Sequence, residues 1–293
     1  MSHKSAFVNI VGSPNVGKST LMNSLVGEKL SIVTSKAQTT RHRIHGLVNG
    51  DDHQIVFSDT PGVVNSSYKL HDAMMSYVEA SFKDADILLF ITDMHENEMN
   101  HKETLERIQK LRIPVLLIIN KIDLGDQEKV EKRREYWQEK VPNAEIIPVS
   151  ALHSFNTDRI WTRILELAPE GPAYFDKEEL SDRPVRFFVS EMIREKIFLH
   201  CEKEVPYACQ VEIETYQESE NITHIRALII VERDSQKGIL IGKKGEMLKK
   251  IGKDARLDME AFLGQKVFLE TFVKVIPDWR SKKNYLKSFG YEN

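Results

Sequence analysis

Cysteine is scarce, with Cys201 and Cys209 the two in 293 residues. That excludes a disulfide scaffold and any zinc finger built on paired Cys-x-x-Cys ligands, and leaves both thiols as expected core residues. Long hydrophobic runs are also missing. Stretches such as Ile113 to Ile119 fall far short of the roughly 20 residues that span a bilayer. The start, Met1-Ser2-His3-Lys4-Ser5, runs straight into a strand-like segment without the apolar core of a signal peptide. The histidines are scattered without metal-ligand spacing. A soluble, cytosolic protein is expected. What remains is an ordinary globular mix, 41% hydrophobic and 29% charged. The length is about twice that of one domain, so two domains are expected.

A strong charge of one sign is absent too, with a formal net charge of −3. The sum conceals an asymmetry. Ser181 to Asn293 holds 20 basic and 18 acidic residues, whereas Met1 to Leu180 holds 21 and 26. Lys237 to Lys287 alone carries 13 basic against 6 acidic residues. Basic charge is gathered in one place.

The first half alternates apolar runs with amphipathic segments, the pattern of an α/β fold whose mostly parallel sheet is covered by helices on both faces. Strands are predicted at Ala6–Val11, His45–Val48, Gln54–Ser58, Asp86–Thr92, Pro114–Asn120 and Glu145–Val149. Helices are predicted at Lys18–Val26, Tyr68–Phe82, Glu98–Leu111, Gln127–Lys140 and Thr157–Leu167. A domain at 1–168 is then followed by a Pro-bounded, acidic linker at 169–184 and a second domain at 185–293. In that second, α+β part a helix (Val185–Lys203) precedes strands Ala208–Tyr216 and Ile222–Glu232. Helices around Met247–Ile251 and Asp254–Leu263, a strand Lys266–Val275 and a last helix to about Phe289 complete it. The order is α-β-β-α-α-β.

Gly12-Ser13-Pro14-Asn15-Val16-Gly17-Lys18-Ser19 fits the phosphate-binding loop G-x-x-x-x-G-K-[ST], after a strand and before a helix as that motif requires. Glycines let backbone N–H groups close on phosphate oxygens, and the helix N-terminus adds a favourable dipole. Lys18 can reach the β- and γ-phosphates and Ser19 can offer its hydroxyl to Mg²⁺. Asp59-Thr60-Pro61-Gly62 ends the third predicted strand, where Asp59 can hold the magnesium shell through water and Gly62 can present its N–H to the γ-phosphate. Asn120-Lys121-Ile122-Asp123 ends the fifth. The Asp123 carboxylate can accept two hydrogen bonds from guanine that adenine cannot supply, so discrimination should be large. Ser150-Ala151-Leu152 can offer a backbone N–H to the guanine 6-oxo group. In the long connection before the second strand, Thr39 or Thr40 can ligate Mg²⁺ while its backbone touches the γ-phosphate. Loss of that phosphate would release the loop, which is a switch.

Gly242-Lys243-Lys244-Gly245 is the one G-x-x-G. It carries two lysines, apolar residues through Ile241 before it and an amphipathic helix bearing Lys249 after it. Glycines let the loop approach a sugar–phosphate chain whose charge the lysines compensate, as in K-homology domains, which clamp about four single-stranded nucleotides. Lys274, Arg280, Lys282 and Lys283 are candidates to extend such a surface, whereas Trp279 is expected to pack. A helix–turn–helix joint with a solvated basic face is the plainer alternative.

The motif spacing and the phrase Pro14-Asn15-Val16-Gly17-Lys18-Ser19-Thr20 resemble translation-factor-related GTPases. With a type-2 K-homology order behind them, nearly the whole chain resembles the Era family of bacterial GTPases. The matching stretches include Gln38-Thr39-Thr40-Arg41, Val231-Glu232-Arg233, Ser235-Gln236-Lys237 and Ser288-Phe289-Gly290-Tyr291. The resemblance implies GTP and GDP as ligands, Mg²⁺ as cofactor, and Lys18, Thr40, Asp59 and Gly62 as catalytic positions, favouring Thr40 over Thr39 for the metal. Val63 stands where Ras-like enzymes keep a water-orienting glutamine, so slow intrinsic hydrolysis is expected. Related GTPases with an asparagine at the position of Asn15 use K⁺ as an extra charge. The family is expected to bind the 3′ end of small-subunit ribosomal RNA and the assembling small subunit, in the cytoplasm with peripheral association with the inner membrane; the expected state is a monomer. Two departures stand out. The family commonly has a histidine, and a proline two residues later, where Val64, Asn65 and Ser66 stand, and often an arginine at Ser13. Rival readings are a P-loop ATPase or kinase, against which Asn120–Asp123 argues, and a membrane-associated or cell-division regulatory GTPase with incidental RNA affinity.

Overall fold

The computed structural model describes residues 3–64, 67–96 and 102–291. Asn65, Ser66 and the first residues of the helix expected from Glu98 lie outside them. Among the described residues the chain divides into two compact units. The first comprises 1–31, 40–66 and 74–182, and the second comprises 32–39, 67–73 and 183–293.

The first unit holds a six-stranded sheet in the order β2-β3-β1-β4-β5-β6. The strands are β1 (Lys4–Gly12), β2 (Ile44–Asn49), β3 (His53–Asp59), β4 (Ile87–Asp93), β5 (Val115–Asn120) and β6 (Glu145–Pro148). β2 runs antiparallel to β3 and the remaining pairs are parallel. The helices are α1 (Lys18–Val26), α2 (Lys69–Ser81), α3 (Lys102–Gln109), α4 (Gln127–Lys140) and α5 (Thr157–Leu167); the first turns of α2, through Ala73, cluster with the second unit. β4 and β5 are wholly buried, as near-continuous apolar runs in a parallel sheet require. Leu88, Phe90, Leu117 and Ile119 form one core with Val78, Ile108 and Trp137, from α2, α3 and α4. The parallel order places the C-terminal ends of β1, β3, β5 and β6 on one side of the sheet, and Gly12–Ser19, Asp59–Gly62, Asn120–Asp123 and Ser150–Leu152 lie at those ends.

Residues 169–182, expected as a linker, pack on the first unit instead. Ser5 donates its N–H to the Pro169 carbonyl at 3.1 Å, and Leu47 of β2 donates to Leu180 at 2.9 Å. The buried Gln54 amide accepts from the N–H groups of Tyr174 (2.6 Å) and Phe175 (2.9 Å). The strap covers the open edge of β2, which a sheet otherwise leaves unpaired.

The second unit has α6 (Val185–His200), a single turn α7 (Val205–Ala208), β7 (Gln210–Glu218), β8 (Ile222–Val231), α8 (Asp234–Ile241), α9 (Glu246–Leu263), β9 (Lys266–Val275) and α10 (Lys283–Ser288). β8 pairs antiparallel with β7 and parallel with β9. The expected order holds, with the helices redistributed. Asp234–Ile241 is a helix of its own, because the Gln236 side chain accepts the N–H groups of Glu232 and Arg233 and fixes its start. The two helices expected around Gly252 are one. Ile251, Ala255 and Met259 recur every fourth residue on its buried face, and that packing outweighs one mid-helix glycine. Cys201, Cys209 and Trp279 are buried, and the Trp279 indole N–H donates to the Ala208 carbonyl at 2.9 Å. No helix among the described residues is long and apolar enough to cross a membrane.

Candidate active site and nucleic-acid interface

The loop from Gly12 to Gly17 turns off β1 and hands the chain to α1. Gly17 has φ +99°, and a Cβ there would lie 2.2 Å from the Asn120 amide nitrogen, so only glycine fits. Ser13 and Val16 are buried, Pro14 is half-buried and Asn15 is exposed at φ 64°. Lys18 is buried, and its ammonium donates to the carbonyls of Gly12 (3.1 Å) and Ser13 (2.7 Å). Burial lowers its pKa to about 8, opposed by the nearby carboxylates of Asp59 and Glu96. The following Thr20 is half-buried in α1.

Three oxygen-bearing side chains converge next to it. Asp59 Oδ2 accepts from the hydroxyls of Ser19 (2.7 Å) and Thr40 (3.0 Å), and those hydroxyls are 2.9 Å apart. Burial pushes the Asp59 carboxyl above the usual carboxylate range, against these hydrogen bonds and the Lys18 charge. Its Oδ1 is buried without a hydrogen-bond partner. An orphaned carboxylate oxygen beside two hydroxyls is a hard donor set that suits Mg²⁺, an ion that keeps several waters and takes few protein ligands. Ser19 and Thr40 would hold it directly and Asp59 through water. Thr39 stands half-buried one residue away, outside this cluster. Thr60 is buried and donates to the Ile10 carbonyl at 2.7 Å, holding the loop of Pro61 and Gly62 against β1. Val63 is 2% exposed and belongs to the core under α2, so its side chain has no part in orienting water.

The base-binding motifs are stitched to the phosphate loop. The Asn120 amide donates to the Val16 carbonyl at 2.8 Å and accepts the Ala151 N–H at 2.9 Å. Lys121 donates to the Asn15 carbonyl (2.5 Å) and to Asp93 (2.7 Å). Ile122 N–H reaches the Val149 carbonyl at 3.2 Å. Asp123 is exposed, and Ser150 donates its hydroxyl to it at 2.5 Å, which aims the carboxylate. Of the three N–H groups offered for a guanine oxygen, Ser150's is given to Phe155 and Ala151's to Asn120. That leaves exposed Leu152 as the remaining donor of the stretch.

Sequence reasoning missed Glu96. Its carboxylate accepts from the Ser13 hydroxyl and, at 2.8 Å, from Thr92 at the end of β4. No motif marks it; parallel pairing of β1 with β4 is what brings it to the phosphate loop.

In the second unit the G-x-x-G joins α8 to α9. Gly242 has φ +71°, and a Cβ there would lie 2.7 Å from the Met247 Cβ and 2.9 Å from its backbone nitrogen. Lys243, Lys244 and Lys249 are exposed and Ile241 is half-buried; Gly245 begins α9 with φ 79°. Lys274, Lys282 and Lys283 are also exposed. Arg280 is the correction: it pairs with Glu232 and lies 4.4 Å over the Tyr68 ring. Its charge is committed inside the unit rather than offered to RNA.

A solved structure of Era in complex with MgGDPNP and nucleotides 1506–1542 of 16S ribosomal RNA matches 99% of this chain and 100% of that one, at 40% identity and a TM-score of 0.94. The chain belongs to the Era family. A variant of Aquifex aeolicus Era bound to GDP·AlF4⁻ matches with the same identity, coverage and TM-score. Residues 7–121 match the family described as 50S ribosome-binding GTPase, and residues 204–280 match the KH domain family. The small-subunit RNA belongs to the full-length Era match, and the 50S description to a family matched over residues 7–121 alone. In Era-family terms, the Ser19–Thr40–Asp59 cluster lies where a nucleotide-bound magnesium is expected.

Proposed function

We propose that the chain is a GTP-binding, GTP-hydrolysing switch that binds the 3′ region of small-subunit ribosomal RNA and acts in assembly of the small ribosomal subunit. The observation that carries this is the convergence of Ser19, Thr40 and Asp59 beside buried Lys18, on a chain whose other unit displays an exposed Gly242–Gly245 loop.

The work of each residue follows from its place. Lys18 exchanges its two carbonyl partners for β- and γ-phosphate oxygens, a stronger charge-assisted pairing. Asp123, held by Ser150, selects guanine. Mg²⁺, when bound, neutralises charge that develops on the phosphate oxygens. Thr40 is then the residue whose position depends on the third phosphate, so hydrolysis frees the connection that carries it. With Val63 in the core, this chain lacks a water-orienting side chain at that position, and K⁺ near Asn15 is proposed to supply the missing charge. Faster turnover in K⁺ than in Na⁺ buffer is expected; equal rates overturn that part.

The decisive experiment is RNA crosslinking with GTP analogue and with GDP. Crosslinks from Lys243, Lys244 or Lys249 to the 3′ region of 16S RNA, stronger with the analogue, support the proposal. Their absence in both states, with intact ribosome profiles for Gly242→Asp/Gly245→Asp, favours the regulatory rival. ATP displacing GDP as well as GTP does would exclude guanine selection. Cytoplasmic residence as a monomer, with peripheral membrane association, rests on family resemblance alone, and cell fractionation tests it.

A further inference from the structure

Glu96 sets a carboxylate beside a site that is built for anions. Its Oε1 accepts the hydroxyl of Ser13 in the phosphate loop, and its Oε2 accepts Thr92 at 2.8 Å. Ser13 is 7% exposed and Thr92 is fully buried. The backbone around the carboxylate is pinned as well. Asp93 takes the N–H groups of His95 (2.9 Å) and Glu96 (3.0 Å). Arg133 donates to the carbonyls of Glu96 (2.7 Å) and Met94 (3.2 Å). All of these groups belong to the first unit. The half-buried Glu96 side chain is therefore held against the loop.

Its charge is not neutralised by contact. Among the described residues, the two hydrogen bonds that its carboxylate accepts come from uncharged hydroxyls. Lys121 spends its ammonium on Asp93 (2.7 Å) and the Asn15 carbonyl (2.5 Å), and Arg133 reaches backbone carbonyls rather than the carboxylate. The field of Glu96 falls instead on Lys18, whose protonated form it favours. Bracing the loop does not require an ionised group, since an amide or hydroxyl oxygen also accepts a serine proton. What a carboxylate adds is a negative charge at the edge of a polyanion site, and bringing like charges together costs binding energy.

We propose that Glu96 is a counter-charge that limits how tightly the phosphate loop holds guanine nucleotide, so that the product leaves and the site is reset. Backbone N–H groups, the N-terminus of α1 and Lys18 draw phosphate in; Glu96 opposes them from a fixed place. Ser13 is its positioning partner, because the Ser13 hydroxyl holds the carboxylate to the loop. Both GDP and GTP place phosphates there, so both are affected. Affinity differences between closely related complexes reside mostly in dissociation, and nucleotide release is accordingly the step that Glu96 sets. This rests on the nucleotide-binding part of the proposed function.

The test compares full-length wild type with Glu96→Gln at about pH 7, where Lys18 is charged. Affinities are read by titration with MgGDP and MgGDPNP, and release by chasing a fluorescent GDP. Glutamine keeps a donor and an acceptor for the two hydroxyls and removes the charge. It should bind both nucleotides about fivefold more tightly or better, the size expected of one partly buried charge near another. Release of GDP should slow by a similar factor, with an unfolding midpoint within about 2 °C of wild type. Affinities within about twofold of wild type overturn the counter-charge. So does weaker binding of both nucleotides, which marks Glu96 as a brace and nothing more. Should Glu96→Gln fail to fold, Glu96→Ala decides by the same sign: tighter binding supports the proposal, and equal or weaker binding overturns it. A wild type that binds neither nucleotide would remove the nucleotide reading and the counter-charge with it, whereas an unchanged variant beside a binding wild type removes the counter-charge alone.

Discussion

Around the phosphate loop the polar groups are buried and already bonded to one another; around Gly242–Gly245 they stand in solvent. Lys18 and Asp59 are held in place by the loop and the hydroxyls of Ser19 and Thr40. Lys243, Lys244 and Lys249 are exposed. The first arrangement suits a small ligand of fixed charge geometry, because groups already gathered in a water-poor site need only exchange partners on binding. The second suits a long flexible polyanion that brings its own conformations, where charge density matters more than fixed angles. Energetic effects at the two places should accordingly differ in size and in their response to salt and pH.

The largest effect is expected from Lys18→Ala. Two or more charge-assisted hydrogen bonds to phosphate, at about 2 kcal/mol each, correspond to roughly a thousandfold loss of nucleotide affinity. Calorimetric titration with MgGDPNP measures it, and a loss under about tenfold would mean that the buried lysine is not preorganised for phosphate.

Next comes Gly242→Asp with Gly245→Asp. A side chain at Gly242 meets the Met247 backbone, and two carboxylates replace an inviting surface with a repelling one. Like-charge juxtaposition costs several kcal/mol, so RNA affinity should fall about a hundredfold or more while GDP affinity stays within about twofold. Loss of both would show that the two regions are not separable.

These predictions rest unequally on the sequence. Gly12–Ser19, Asp59–Gly62 and Asn120–Asp123 were legible because each is a contiguous motif at the end of a strand, and strand order brings the ends together whatever the intervening chain does. Gly242–Gly245 was legible for the same local reason. Glu96 and the strap at 169–182 were not, because each depends on partners far away in sequence. Arg280 misled because a basic residue near an RNA loop reads as a phosphate ligand until its partner, Glu232, is seen beside it. The helix break expected at Gly252 failed because local propensity is weaker than the packing of Ile251, Ala255 and Met259.

pH separates the two regions further. Lys18 has a pKa near 8, and phosphate binding requires its ammonium form. Below that value the charge is present in advance. Above it each binding event takes up a proton, so nucleotide affinity should fall by up to about tenfold per pH unit until the bound-state pKa is reached. Titrations at pH 7, 8 and 9 in buffers of different ionisation heat would read the proton uptake directly. A flat profile would place the lysine's pKa well above 8 in the free protein and remove one mark of its burial.

The smallest effect is the most specific to the exposed loop. Each phosphate neutralised on a single strand contributes about −0.7 to the slope of log affinity against log salt. Lys243→Ala and Lys244→Ala should each flatten the RNA slope by about that amount while weakening binding only a few-fold at moderate salt. Lys18 is screened far less, because it is buried, so the GDP slope should be shallow and untouched by either variant. If the RNA slope stays as steep without both lysines, phosphate is being met elsewhere on the basic stretch, and exposed Lys249, Lys274, Lys282 and Lys283 become the residues to change. The loop would then act through close backbone approach at Gly242 and Gly245, and the contrast between the regions would be one of shape as much as of charge.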